Sequence, residues 1–295
     1  MTNQKYLFAI KNRIIQSKLD EEMRNYIKGL EGEIFIKCIL DEYPDLHYLY
    51  NYQINHKNRV QIDFLIVTDD ALLHFEIKHY SGDYTIKDGQ LMNEFGNMFY
   101  TPFQQLRRAN HELNFLISHF KINKPVQSYL IFTNPKFTLK GSIPSQFNIL
   151  LPTELHKFQY MFKNQNTQEN LRILRLFQRE YKDFSHIYKN NNRVPMSCLI
   201  PGLKCPKCKS MNTIVNEDCK KNLTCRKCDF KDVRQNIYLF NLLELYICLG
   251  ESFTLSEAQE WCDVENKHTI RRVCEKYFNS TNKNPKKYFT ISKGK

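Results

Sequence analysis

Apolar residues recur at helical spacing over residues 4–28, which predicts an amphipathic helix ending near Gly29. Ile34, Phe35, Cys38 and Ile39 keep that period and predict a second helix. Strand-like runs follow at 48–54, 60–67, 72–78 and 84–87. The segment TPFQQLRRANHELNFLISHF returns to the helical period, with Phe103, Leu106, Leu113 and Leu116 on one face. VQSYLIFTN and FNILLP read as further strands, and helices interleaved with strands in this order predict an α/β core. The pattern LRILRLFQREYKDF is helical again, and NNNRVP breaks it, so a domain boundary is expected near 190–195. This reading divides the chain into an N-terminal helix (1–28), an α/β domain (29–160), a helical connector and linker (161–195), a cysteine-rich segment (196–235) and a small helical module (236–295).

Two acids and a lysine interrupt the apolar strands. If 60–67 and 72–78 form a hairpin turning at Asp69 and Asp70, Asp63 stands opposite Glu76, and Gln61 opposite Lys78. Ile62, Phe64, Ile66, Leu73, Phe75 and Ile77 then make an apolar face, leaving Gln61, Asp63, Glu76 and Lys78 on the other. Like charges directly opposite destabilise a sheet, and a hard divalent cation between them reverses that penalty. A solvated outer face of an ordinary sheet accounts for the same alternation, so the pattern leaves both readings open. His74 and His79 flank this group and read as structural histidines.

The chain's 295 residues carry a net charge of +12, and residues 201–295 hold 18 Lys and Arg against 11 Asp and Glu. Such a surplus points to a polyanionic partner, nucleic acid before membrane. No run approaches the ~20 apolar residues of a membrane span, and the N-terminus lacks the pattern of a secretory signal. The expected location is the cytoplasm, where thiols stay reduced, so the ten cysteines call for a role other than disulfides. Cys205 and Cys208, then Cys225 and Cys228 sixteen residues on, form two C-x₂-C pairs with the spacing of a structural Zn²⁺ site. Four thiolates leave no coordination position open, so the site is expected to be structural. Cys198 and Cys219 lack a paired partner and read as bystanders. Lys204, Lys207, Lys209, Lys220, Lys221, Arg226 and Lys227 crowd this segment as phosphate contacts or as ordinary solvated lysines.

The cysteine segment resembles a zinc ribbon, and the three helices and basic tail of 236–295 resemble a winged helix. In that likeness the helix of DVENKHTIRRVCEKYF, with Asp263 as its expected cap, enters the major groove with Lys267, His268, Arg271 and Arg272. Lys283, Lys286 and Lys287 then lie on the wing, and Trp261 reads as a core anchor.

GLEGE (29–33), QIDFLIV (61–67), FEIKHYSGDY (75–84) and the P-x-x-Q of Pro102 and Gln105 occur in the order of the nuclease-related domain, NERD, and residues 29–135 resemble that family. The resemblance implies membership of the PD-(D/E)xK nuclease superfamily, with a restriction-endonuclease-like mixed central sheet flanked by helices. It implies Mg²⁺- or Mn²⁺-dependent hydrolysis of phosphodiester bonds, DNA being favoured over RNA. Asp63 matches the motif aspartate, Glu76 and Lys78 the ExK pair, Glu33 the helix glutamate of the metal site, and Gln105 a helix glutamine placed beside the lysine. Glu31 also matches, but two helical residues ~200° apart cannot both face one site, and Glu33 is preferred. A non-catalytic nucleic-acid-binding regulator and a protein-interaction adaptor are the rival readings. The Lys, Asn and Ile content suggests an AT-rich bacterial source and a setting in DNA processing or defence.

Overall fold

The structure is a computed structural model of the chain. It describes residues 3–55, 58–87, 89–99, 101–143, 145, 148–162, 167–182, 193–215, 221–250, 252–265, 267–283 and 286–291. Residues Met1–Arg24 and Asn192–Lys295 form one compact unit, and Asn25–Asn191 forms another.

Helix α1 (Asn3–Ile10) is shorter than the apolar period over 4–28 predicts. Asn12 takes the left-handed conformation at φ 67°, which ends the helix just before Arg13. Helix α2 (Glu21–Leu40) then runs unbroken through Gly29, where a break was expected. The Asp20 carboxylate accepts a hydrogen bond from the Met23 amide at 2.7 Å, and Glu21 and Glu22 in the first turn complement the helix dipole.

In the second unit, strands β1 (His47–Asn55), β2 (Arg59–Val67) and β3 (Leu72–Lys78) pair antiparallel. A small sheet follows from β4 (Gly82–Lys87), β5 (Gln90–Asn93) and β6 (Met98–Phe99). Helix α3 (Thr101–His119) crosses over to β7 (Val126–Phe132), which joins β3 in parallel. Strand β8 (Phe137–Lys140) closes the small sheet, and β9 (Asn148–Leu150) adds to β7 in parallel. The principal sheet has the order β1-β2-β3-β7-β9 and the smaller one β6-β5-β4-β8. Helices α4 (Phe158–Met161) and α5 (Thr167–Arg179) complete the unit. The architecture is mixed α/β, with a central mixed sheet flanked by helices.

Each face of the principal sheet has its own core. Phe64, Ile66, Leu73, Phe75 and Ile77 pack with Ile36 and Leu40 of α2 and with Phe158. On the opposite face Leu65, Val67 and Leu72 meet Ala109, Leu113 and Leu116 of α3 and Ile173, Leu174 and Phe177 of α5. Ile62 departs from the expected pattern and joins this second core rather than the first. Alternation fails locally because Asn51, between the pairs Tyr50↔Phe64 and Tyr52↔Ile62, adopts a left-handed φ of 54°. The ribbon turns there, so Tyr50 packs on one face and Tyr52 on the other. Asp63 sits opposite Asn51 at this turn.

The other unit contains a three-stranded sheet of β10 (Ile214–Val215), β11 (Asn222–Cys225) and β12 (Lys231–Val233). After it come α6 (Arg234–Leu249), β13 (Phe253–Thr254), α7 (Leu255–Cys262), α8 (Lys267–Tyr277), β14 (Asn279–Lys283) and β15 (Lys286–Thr290). The last three strands form a sheet in the order β13-β15-β14. Thr254 and Glu257 make a capping box at the start of α7. Asp263, expected to start the next helix, instead ends α7 in the left-handed conformation at φ 50°.

Fully buried Arg13 organises this unit. Its guanidinium donates to Glu244 at 3.2 Å, to Asn241 at 2.6 Å and to the carbonyls of Ile200 and Gly202, and it lies 4.1 Å from the ring centroid of Trp261. Trp261 is a core anchor whose Nε1 donates to the Asn241 carbonyl. Lys204, also fully buried, donates to Glu244 and to the carbonyls of Phe8 and Ala9. Its ammonium is therefore committed inside the protein, which removes it from the lysines available to phosphate. Among the described residues, no helix is long and apolar enough to cross a membrane.

Candidate active site and thiolate centre

The hairpin register brings the strand acids together. Observed pairs run Val67↔Leu72, Ile66↔Leu73, Leu65↔His74 and Phe64↔Phe75. One step further along the ribbon stand Asp63 and Glu76, where regular pairing ends and the Ile77 amide donates to Asp63 Oδ2 at 2.7 Å. Glu76 is 4% exposed, and its Oε1 accepts from Lys78 Nζ at 2.8 Å.

Glu33 reaches the same place from α2 because the helix comes unusually close to the sheet. A Cβ on Gly32 would stand 2.9 Å from both His79 Cβ and Thr133 Oγ1. Only glycine permits this approach, and the next residue is delivered to the ends of the strands. Glu33 Oε2 accepts from the Tyr50 hydroxyl at 2.6 Å. Glu31 is exposed, and its charge acts on His79 instead.

The charges of Glu33, Asp63, Glu76 and Lys78 act on one another. Burial holds the Asp63 carboxyl well above the ordinary carboxylate range, and the charges of Glu76 and Glu33 push it the same way against Lys78 and the Ile77 amide. Glu33 is raised by burial and by Glu76, against the Tyr50 hydrogen bond and Lys78. For Lys78, burial favours the neutral amine, but Glu76 and then Asp63 outweigh it and raise the ammonium's pKa. Three carboxylates thus face a single ammonium.

Each carboxylate commits one oxygen to the protein: Asp63 Oδ2 to Ile77, Glu76 Oε1 to Lys78, and Glu33 Oε2 to Tyr50. The second oxygen of each takes no hydrogen bond from the described residues and is not sealed from solvent. Three uncommitted hard oxygens with excess negative charge fit a divalent cation such as Mg²⁺ or Mn²⁺. The carboxylates are more spread than the cysteines, which are the one set among the described residues whose donor atoms all lie within 4.8 Å of one another.

Other expected participants lie elsewhere. Gln105 is exposed on α3 and makes no hydrogen bond to this group among the described residues. His74 is fully buried, paired with Ser128 Oγ at 3.1 Å and held by burial at a pKa of about 3. His79 Nδ1 lies 2.7 Å from Thr133 Oγ1, bracing the strand ends beneath Gly32. The sequence reading overlooked Tyr50 and Asn51, since an aromatic or an asparagine in a strand gives no signal of its own. Glycine at position 32 inside a helix was the available clue to the close approach.

The two cysteine pairs form matching knuckles. The Lys209 amide bonds to the Cys205 carbonyl and the Asp229 amide to the Cys225 carbonyl, with Lys209 and Asp229 both left-handed. The knuckles bring Cys205 Sγ to 3.7 Å from Cys228 Sγ, and Cys208 Sγ to the same distance from Cys225 Sγ. A tetrahedron with Zn–S bonds of ~2.3 Å has an edge of about 3.8 Å, so this geometry fits zinc. Ser210, through its hydroxyl and amide, draws the Cys208 thiol down to about 6. Cys198 is buried against the Lys18 carbonyl, away from this centre, while Cys219 and Lys220 lie outside the described residues.

On α8, Lys267, His268, Arg271 and Arg272 are exposed, while Ile270, Val273 and Cys274 are buried. Lys287 is exposed on β15 and pairs with Glu275 at 3.5 Å. The side chain of Lys286 lies outside the described residues.

A mixed sheet carrying an acid on one strand, an acid and a lysine two residues apart on the next, and a glutamate on the covering helix defines a nuclease-like α/β domain. Residues 28–133 match the family model of the nuclease-related domain, NERD, so this chain carries such a domain over about a third of its length. No curated protein and no solved structure matches the chain.

Proposed function

We propose that this protein is a metal-dependent nuclease that cleaves phosphodiester bonds, with DNA as its substrate. The observation that carries this reading is the convergence of Glu33, Asp63 and Glu76 around Lys78 within the nuclease-related domain. The three uncommitted carboxylate oxygens would hold Mg²⁺ or Mn²⁺. When bound, the cation supplies positive charge against the phosphate and a more acidic water. Glu76 holds the Lys78 ammonium beside the acids, where it stabilises negative charge developing on the scissile phosphate. Gln105 enters only through the family resemblance, as a residue that would turn toward substrate.

The other unit would supply substrate binding. Its α6–β13–α7–α8–β14–β15 order, with β15 between β13 and β14, supports a winged helix in which α8 is the recognition helix. Exposed Lys267, His268, Arg271 and Arg272 on one helix, with Lys286 and Lys287 on the following hairpin, suit a phosphate backbone. The four-thiolate site would hold a structural Zn²⁺.

The test compares Mg²⁺-dependent cleavage of DNA and RNA by the wild type, Asp63→Ala and Lys78→Ala. Cleavage by the wild type alone supports the reading; equal activity in all three preparations removes catalysis from this site. Binding that weakens steeply with salt, and less steeply in an Arg271→Ala/Arg272→Ala variant, supports the assignment of α8. Salt-insensitive binding points to the adaptor reading instead.

A further inference from the structure

We propose that Tyr50 is the positioning residue for Glu33, fixing which carboxylate oxygen the helix glutamate presents to a divalent cation; this rests on the metal-dependent reading of the cluster. Glu33 is the one acid of the cluster that comes from a helix rather than a strand. Its carboxylate stands at the end of a flexible side chain, and neither Lys78 nor a backbone amide hydrogen-bonds it among the described residues. The Tyr50 hydroxyl, 2.6 Å from Oε2, is the contact that selects its orientation and leaves Oε1 uncommitted.

Tyr50 is itself firmly held. It pairs with Phe64 across β1 and β2, and its ring stacks on the Phe64 ring at 5.0 Å between centroids and 29° between planes. The left-handed turn at Asn51 follows at once and sends Tyr52 to the opposite core, where its hydroxyl bonds to the Phe177 carbonyl. Tyr48, two residues before, donates to Asp41 instead. Of these three tyrosines on one strand, Tyr50 alone donates to an acid of the cluster. The same turn sets Asp63 opposite Asn51, so one local distortion places both Tyr50 and Asp63 at the cluster. Partners of this kind, which hold a metal's carboxylate rather than the metal, typically alter affinity 10–100-fold when removed.

The experiment is a Mn²⁺ titration of the full, zinc-loaded chain, read by calorimetry and by the free-Mn²⁺ electron paramagnetic resonance signal. Tyr50→Phe keeps the stacked ring and removes only the hydroxyl, and its melting temperature is measured in parallel to establish that it folds. The expected result is Mn²⁺ binding weakened about tenfold or more in Tyr50→Phe, and unchanged in the control Tyr48→Phe. In a Glu33→Gln background, adding Tyr50→Phe should change nothing further. Where cleavage is measured, excess Mn²⁺ should restore the Tyr50→Phe rate with KM for nucleic acid unaltered. Wild-type affinity in a folded Tyr50→Phe chain overturns the inference, as does an equal loss with and without Glu33. A wild type that takes up Mn²⁺ with this Tyr50 dependence yet cleaves nothing supports the inference while removing the nuclease reading. A wild type that takes up no Mn²⁺ overturns both.

Discussion

The backbone amide of Ile77 donates to Asp63 Oδ2 at 2.7 Å, so the strand that carries Glu76 and Lys78 also holds the acid opposite them. This contact offsets part of the cost of a carboxylate that lies close to two others.

Asp63→Asn keeps an acceptor for the Ile77 amide and removes one of the crowded charges. Asp63 and Glu33 have folded-state pKa values above those of the unfolded chain, so the folded, metal-free protein binds protons that the unfolded chain has lost. Their contribution to stability therefore falls as pH rises from about 4, the ordinary carboxylate value, through the raised values. Urea unfolding of the zinc-loaded wild type in the absence of Mg²⁺ and Mn²⁺ should show this decline, at up to ~1.4 kcal/mol per pH unit for each proton. Asp63→Asn should flatten it, with nuclease activity lost. An identical pH slope in the variant contradicts this account.

Lys78→Met should leave the buried Glu76 carboxylate without its ion-pair partner. Breaking a buried pair on one side costs about 3 kcal/mol or more, so the variant's unfolding midpoint should drop. The double variant Lys78→Met/Glu76→Gln should recover much of that loss, because the stranded charge is gone. Denaturation curves of the three proteins at one pH decide the point.

Gly32→Ala should displace α2 from the sheet, since the added methyl would meet His79 Cβ and Thr133 Oγ1 at 2.9 Å. Stability should fall by about 1–3 kcal/mol through overpacking, and Mn²⁺ affinity should fall with it as Glu33 moves away. Gly29→Ala, where nothing lies within 4 Å, should instead stabilise the helix by up to ~1 kcal/mol. Thermal melts of the pair distinguish a packing glycine from a merely tolerated one.

Removing zinc, by chelation or by Cys225→Ser, should destabilise more than the two knuckles. Lys204, adjacent to Cys205 of the four-cysteine cluster, is bonded to the carbonyls of Phe8 and Ala9 and to Glu244. Hydrogen exchange should therefore accelerate in α1 and α6 as well as in β10–β12. Arg13→Met should have a related effect at a cost of about 3–5 kcal/mol, because Arg13 removal leaves Glu244 and two backbone carbonyls short of donors. Metal analysis of the wild type should return one zinc per chain.

Much of the candidate site was legible in one dimension. A short turn at Asp69 and Asp70 fixes the hairpin register that runs from Val67↔Leu72 to Phe64↔Phe75 and leads to Asp63 and Glu76, because an antiparallel hairpin has few registers that keep its apolar face buried. The cysteine pairs were legible for a similar reason, since each C-x₂-C is a local knuckle. Elements whose fate depends on distant partners were not. Residues 4–28 have an unbroken helical period, yet the helix stops at Ile10, and Arg13, a surface residue by composition, is fully buried among Glu244, Asn241 and Trp261. Lys204 looked like one more solvated lysine and proved to be internal.

The sequence by itself determined which strands carry the two acids and the lysine, and the four-cysteine spacing, since these follow from local periodicity and chain geometry. Tertiary structure alone decided that Glu33 rather than Glu31 faces the acids, that Tyr50 holds it, and that Ile62 belongs to the opposite core. Those outcomes depend on how closely α2 can approach the sheet at Gly32 and where the ribbon turns at Asn51. Both are set by packing between segments far apart in the chain, which no local pattern encodes.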